Sequence, residues 1–113
     1  MMYFDFTAGD KAYKLRLNTR NTVALEKALG CNPLSIFGTG NRIPTVTEMV
    51  NVLHHSLQQY QHGITINDAY SIFDAYLDDG NAATDFIKVI VEIYKASGII
   101  RDEEGKEEEE EKN

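Results

Sequence analysis

The chain has 113 residues, 42 % of them hydrophobic, with a single cysteine and a formal net charge of −7. That is one domain's worth of polypeptide, enough to bury a core without disulfides or a structural metal. The charge balance argues against the basic surface that a phosphate backbone requires, and no run approaches the roughly 18 apolar residues of a membrane span.

The acid is unevenly placed. From Arg101 onward, eight acidic residues stand against three basic ones, so five of the seven net negative charges lie in residues 101–113 and residues 1–100 carry only −2. The chain divides into a nearly neutral body and an acidic tail. The opening MMYFDFTAGDK has no basic segment followed by an apolar one, so no secretory signal is expected. With Cys31 alone, no internal disulfide can form, and a reducing cytoplasm is the expected compartment.

In chain order, Tyr3-Phe4-Asp5-Phe6 reads as a short strand and Ala8-Gly9-Asp10-Lys11 as a turn. From Tyr13 to Leu17 the side chains alternate, with Tyr13, Leu15 and Leu17 on one face and Lys14 and Arg16 on the other. A hairpin over residues 2–17 follows, and since two strands alone are marginal it must lie against helices. At residues 18–22 the pattern breaks, and Val23, Leu25, Ala28 and Leu29 then follow helical spacing. Gly30 stands where a C-capping glycine belongs, giving a helix over about 20–30.

Asn32-Pro33-Leu34 opens a short helical turn over 33–37, and Gly38 to Asn41 form a loop. Thr45 and Glu48 have the spacing of a capping box. They start a helix over 45–61 whose apolar stripe is Val46, Met49, Val50, Leu53, Leu57 and Tyr60. Thr65 and Asp68 repeat the device for a helix over 66–79, with Ala69, Ile72, Phe73, Tyr76 and Leu77 as its buried face. Gly80 ends it. Asn81 is read as the cap of a last helix over 81–97, striped by Ala83, Phe86, Ile87, Ile90, Ile93 and Tyr94 and closed by Gly98. Val89 and Val91 widen that stripe past one face, so this helix is either central or offers apolar surface to a partner. Residues 101–113, with seven glutamates and no apolar side chain, are expected to stay disordered. The fold class is therefore α+β and mostly helical: a hairpin on three main helices plus one or two short ones.

No catalytic constellation emerges. His54 and His55 are sequence neighbours and His62 lies two turns on, which does not match the i, i+4 pair with an intervening Glu of a zinc protease helix. The acids around Gly80 fail as a calcium loop, because the EF-hand register would place Ala75, Leu77 and Phe86 at ligand positions. Gly38 and Gly40 are followed by no Lys-Ser or Lys-Thr. Cys31 has no His or basic cluster beside it to lower its pKa. The chain is not expected to be an enzyme, nor to need a metal or cofactor. Tyrosine suits interfaces because its ring buries area while its hydroxyl stays wet. Tyr60, Tyr76 and Tyr94, with Val89 and Val91, are accordingly the candidate partner-binding residues.

The stretch Tyr13 to Gly30, YKLRLNTRNTVALEKALG, with the Asn32-Pro33-Leu34 turn after it, resembles the opening of small phage tail assembly chaperones. These are encoded by siphophages and by prophages of Gram-positive bacteria. The likeness spans about residues 3–100 and is strongest over Leu15 to Phe37. It implies a non-enzymatic protein of the host cytoplasm that binds the long, apolar tape measure protein, keeps it soluble during tail assembly, and is absent from the finished virion. The tail tube protein and a second copy of the chain are the other candidate partners, with no nucleic acid or membrane among them. The rival class is a structural virion component, such as a head–tail connector or completion protein, that stays in the particle.

Overall fold

The computed structural model describes residues 2–38 and 42–102. Most of the 38–41 loop and nearly all of the acidic tail, both read from the sequence, lie outside these residues. Strand β1 (Phe4–Ala8) pairs antiparallel with β2 (Lys11–Leu15) in a register that sets Phe4 opposite Leu15 and Ala8 opposite Lys11. Only Gly9 and Asp10 remain for the turn, so β1 runs two residues past the expected strand end and β2 begins two residues sooner. Gly9 has φ +62° while Asp10, like every other non-glycine among the described residues, has a negative φ, the combination a type II′ hairpin turn uses, with glycine at its first central position.

The hairpin buries one face. Phe6, Ala8, Leu15 and Leu17 are at most 4 % exposed, whereas Thr7, Lys11 and Lys14 face water. The open edge of β2 is closed by side chains and helix ends. Gln61 grips Lys14 from both sides, its Oε1 accepting from the Lys14 N–H at 2.9 Å and its Nε2 donating to the Lys14 carbonyl at 3.0 Å. The Arg16 N–H donates to the Ser56 carbonyl, and that of Leu17 to Ser97 Oγ. A strand edge satisfied in this way is no template for pairing with another chain.

Four α-helices follow: α1 (Thr19–Leu29), α2 (Val46–Leu57), α3 (Ile66–Asp78) and α4 (Phe86–Ser97). Short 3-10 turns at Pro33–Phe37 and Ala83–Asp85 lie between them. Helix α2 is the central element, packed against α1, α3, α4 and β2. Its Val52, Leu53, Ser56 and Leu57 are fully buried. It is shorter than the expected 45–61, ending at Leu57, with Gln61 N–H still bonded to the Leu57 carbonyl beyond it.

The two capping boxes form as the spacing requires. Thr45 Oγ1 accepts from Glu48 N–H at 3.1 Å while Glu48 Oε1 accepts from Thr45 N–H at 2.8 Å; Thr65 and Asp68 do the same for α3. Replacing Thr45 with alanine removes the acceptor for an otherwise orphaned helix amide and is expected to cost about 1 kcal/mol, whereas serine should cost little. Urea denaturation of the two variants measures the difference.

Asn81 serves a different helix from the one expected. Its Nδ2 donates to the Tyr76 carbonyl, closing the C-terminus of α3, and Asp85 Oδ2 takes the Ala82 amide at the start of the following turn. After the glycine break the carboxylate three residues on reaches the free amide, which leaves the Asn81 amide nitrogen to satisfy a carbonyl behind it.

The core is largely aromatic at its centre. Phe6, Phe73, Tyr76 and Phe86 form a cluster with ring centroids 5.2 to 6.1 Å apart, mostly edge-on or tilted, the separations at which aromatic rings add to simple burial. This cluster joins the hairpin to α3 and α4.

Candidate functional site

Two of the five residues read as partner-binding are core instead. Tyr94 is fully buried, its hydroxyl donates to the Pro33 carbonyl at 2.9 Å, and its ring stands edge-on to Phe37 at 6.0 Å. Burial drives its pKa far above the ordinary phenol value, with the charges of Cys31 and Glu48 adding to the effect. Tyr76 is 6 % exposed within the aromatic cluster, and burial, then Asp85, raises its pKa also. Tyrosine's amphipathic character suits an interface, but each of these two spends it inside the fold. Tyr94 pins the Pro33–Phe37 turn onto α4. Changing it to phenylalanine leaves a buried carbonyl without its donor, and about 1–3 kcal/mol of stability should be lost, measurable as a lowered urea midpoint at unchanged slope.

Val89 and Val91 are half-buried, and Val89 packs against the core. Tyr60 is 36 % exposed. Its ring meets Tyr3 edge-on at 5.5 Å, and Lys14 Nζ lies 4.9 Å from the Tyr3 centroid and 5.9 Å from that of Tyr60. The ammonium and the two rings form an exposed cation–π group that fastens the hairpin to the end of α2.

The exposed apolar surface lies elsewhere. Val46 is 53 % and Tyr70 52 % exposed, although Val46 was expected at the head of the buried α2 stripe. It is the first residue of α2, and at that position the helix has moved clear of its neighbours on one side. Val46, Thr47 and Val50 from α2 and Tyr70, Phe73 and Asp74 from α3 line a groove of about 310 Å³. Its floor is apolar, and Asp74 at the rim is acidic. Tyr70 is one residue beyond Ala69, about 100° round the helix, so a strict reading of the buried face leaves it exposed, as it is.

A second apolar feature lies on α1. Val23, expected to be buried, is 44 % exposed. Arg20, Val23, Ala24 and Lys27 line an open concavity on the outer side of this helix. Thr19 and Val23 are shared with a neighbouring groove, whose other walls include Arg16, Glu26 and the Ser97–Ile99 turn. Only Leu25 of the helix is fully buried.

The remaining chemistry is structural. Arg42 Nη2 meets both oxygens of Glu48 at 3.1 and 2.9 Å, and Arg42 also donates to the Ile36 carbonyl. Burial pushes the Glu48 carboxyl upward, but the bonds from Arg42 and Thr45 outweigh it and hold the group below its ordinary range. The pair ties the Pro33–Phe37 turn to the start of α2. Among the described residues no three His, Cys, Asp or Glu side chains converge as metal ligands. No helix among the described residues is long and apolar enough to cross a membrane.

The His54 and His55 rings are 4.7 Å apart; His54 Nε2 contacts the Ile64 carbonyl at 3.1 Å and His55 Nδ1 the Asn51 carbonyl at 2.8 Å. Burial, then the neighbouring His55, lowers the pKa of His54. The unfolded chain therefore takes up this proton at a higher pH than the folded one. The stability due to neutral His54 is present above the ordinary imidazole value and is lost as the pH falls from there through the folded pKa. Urea midpoints measured on the acid side of neutrality should fall with pH, and fall less steeply in His54→Gln.

The chain belongs to a family of unknown function, DUF6096, whose model matches residues 5–112. No curated protein and no solved structure shows significant similarity to it.

Proposed function

We propose that this protein is a phage tail assembly chaperone, a non-enzymatic holdase for the tape measure protein. The observation that carries the reading is the α2–α3 groove, where Val46 and Tyr70 stay more than half exposed above a floor of Val50 and Phe73. A chain of this size has enough buried core to do without these two side chains, and apolar groups left open at a concave site suit an apolar helix laid along it. A tape measure protein, long and helix-rich, presents such helices. The likeness of Leu15 to Phe37 to the opening of the chaperone family supports the same reading. The acidic tail adds net negative charge that favours solubility of a loaded complex.

The test is co-expression with a siphophage tape measure protein, followed by affinity capture and measurement of the soluble client fraction. The client should become soluble and co-purify, and the chaperone should be missing from purified virions. An insoluble client, together with this chain in mature particles, would sink the proposal in favour of a structural virion protein. Removing residues 101–113 without loss of client solubility would refute the contribution given to the tail.

A further inference from the structure

Two exposed surfaces that share no residue complement one another. On α1, Arg20, Val23, Ala24 and Lys27 stand at i, i+3, i+4 and i+7 and so lie along one side of the helix. This is the spacing with which an amphipathic helix anchors itself in an apolar groove. Val23 is 44 % exposed, Arg20 and Lys27 face water at either end of it, and the concavity these residues line contains no acid. Elsewhere, the α2–α3 groove offers Val46 and Tyr70 above Val50 and Phe73, with Asp74 at its rim. Asp78 continues the acid one turn further along α3, and no Lys or Arg occurs on that helix. Among the described residues none of Arg20, Lys27, Asp74 and Asp78 is held in an ion pair. Helices α1 and α3 each pack on α2, so one molecule carries both surfaces at once.

We propose that the α1 face of one copy docks in the α2–α3 groove of a second copy, Val23 entering beside Val46 and Tyr70 while Arg20 and Lys27 meet Asp74 and Asp78. The contact covers an apolar centre on both sides and sets a rim of cations against a rim of acids. The two patches differ, so the contact is heterologous. A docked pair still presents a free groove at one end and a free α1 face at the other. Association therefore continues past the dimer, as a ring or an open chain. One helix face in one groove is a small interface, which places the dissociation constant on the order of 100 µM. The inference rests on these surfaces and not on the client reading, although a client helix and a neighbouring copy exclude one another from the same groove. A bound client would thus disperse the assembly.

The experiment is sedimentation velocity of the full chain, without client, from about 10 µM to about 1 mM, a range that brackets this affinity. At physiological ionic strength the Debye length is about 8 Å, so the net charge of each copy is screened while charges in contact still attract. The weight-average sedimentation coefficient should rise with concentration past the value of a dimer. Val23→Asp alone, and Val46→Asp with Tyr70→Gln, should each stay monomeric. Mixed in equal amounts, these two variants should form a 1:1 dimer and nothing larger. One intact α1 face then meets one intact groove, whereas the other pairing sets two introduced carboxylates together. Val23→Asp should still solubilise a client, which separates this contact from the client reading. Neutralising the charges alone, by Arg20→Gln with Lys27→Gln or Asp74→Asn with Asp78→Asn, disturbs no buried side chain and should weaken association about tenfold. The proposal is overturned if the chain stays monomeric to about 1 mM, the weak end of ordinary affinities, or if association stops at a dimer. It is also overturned if either apolar variant assembles as the unaltered chain does, if the two folded variants stay monomeric when mixed, or if neutralising the charges changes nothing.

Discussion

Replacing Phe86 with alanine is expected to lower the unfolding free energy by about 3–5 kcal/mol, a large part of the roughly 5–15 kcal/mol that holds a domain of this kind. Phe86 is fully buried and touches Phe6 of the hairpin and Phe73 and Tyr76 of α3. Its removal therefore opens a cavity where three elements meet. None of the neighbouring rings can slide in without leaving its own contacts, so the site should collapse poorly and the cost should lie toward the upper end. Calorimetry or urea unfolding would show the loss. A change below about 1 kcal/mol would mean that the aromatic cluster is not the joint between hairpin and helices.

The second large effect is on binding. Val46→Asp with Tyr70→Gln should abolish client solubilisation in the co-expression assay while leaving stability almost unchanged. Both side chains are about half exposed in the free protein, so covering them with a client helix recovers about half of their burial free energy. Together that is about 2–3 kcal/mol, or roughly 30- to 150-fold in affinity. The fold should tolerate the pair, because aspartate at the first residue of α2 favours the helix N-terminus and glutamine is a good helix former. Thermal unfolding monitored beside the solubility assay separates the two effects. Unimpaired solubilisation by a folded double variant would remove the α2–α3 groove from the binding site.

The apolar positions whose exposure differs from expectation share a cause. Local pattern identifies which face of a helix is apolar, but not how far along that face the neighbouring elements reach. The α2 stripe runs from Val46 to Tyr60, yet its neighbours cover only the middle, and both ends are exposed. The same holds for Val23 on α1. Conversely, residue type alone points Tyr76 and Tyr94 to an interface. Their burial depends on Phe6, seventy positions before Tyr76, and on Pro33, sixty-one before Tyr94, and no local window contains either partner.

What the amino-acid sequence determined by itself is much of what neighbours a few residues apart govern, although it misassigned Asn81, which closes α3. The Gly9-Asp10 turn, the Thr45–Glu48 and Thr65–Asp68 caps, the glycine stops at Gly30 and Gly98 and the alternation through Leu17 all follow from backbone geometry and short-range hydrogen bonding. The α+β class with its hairpin and helices was legible for that reason. Tertiary structure alone decided which apolar residues stay open. It assembled the Val46–Tyr70 groove from two helices, brought Arg16 and Ile99 to one groove, and gave the edge of β2 to Gln61. Each of these joins residues far apart in sequence, and such contacts depend on how complete faces pack rather than on any local preference.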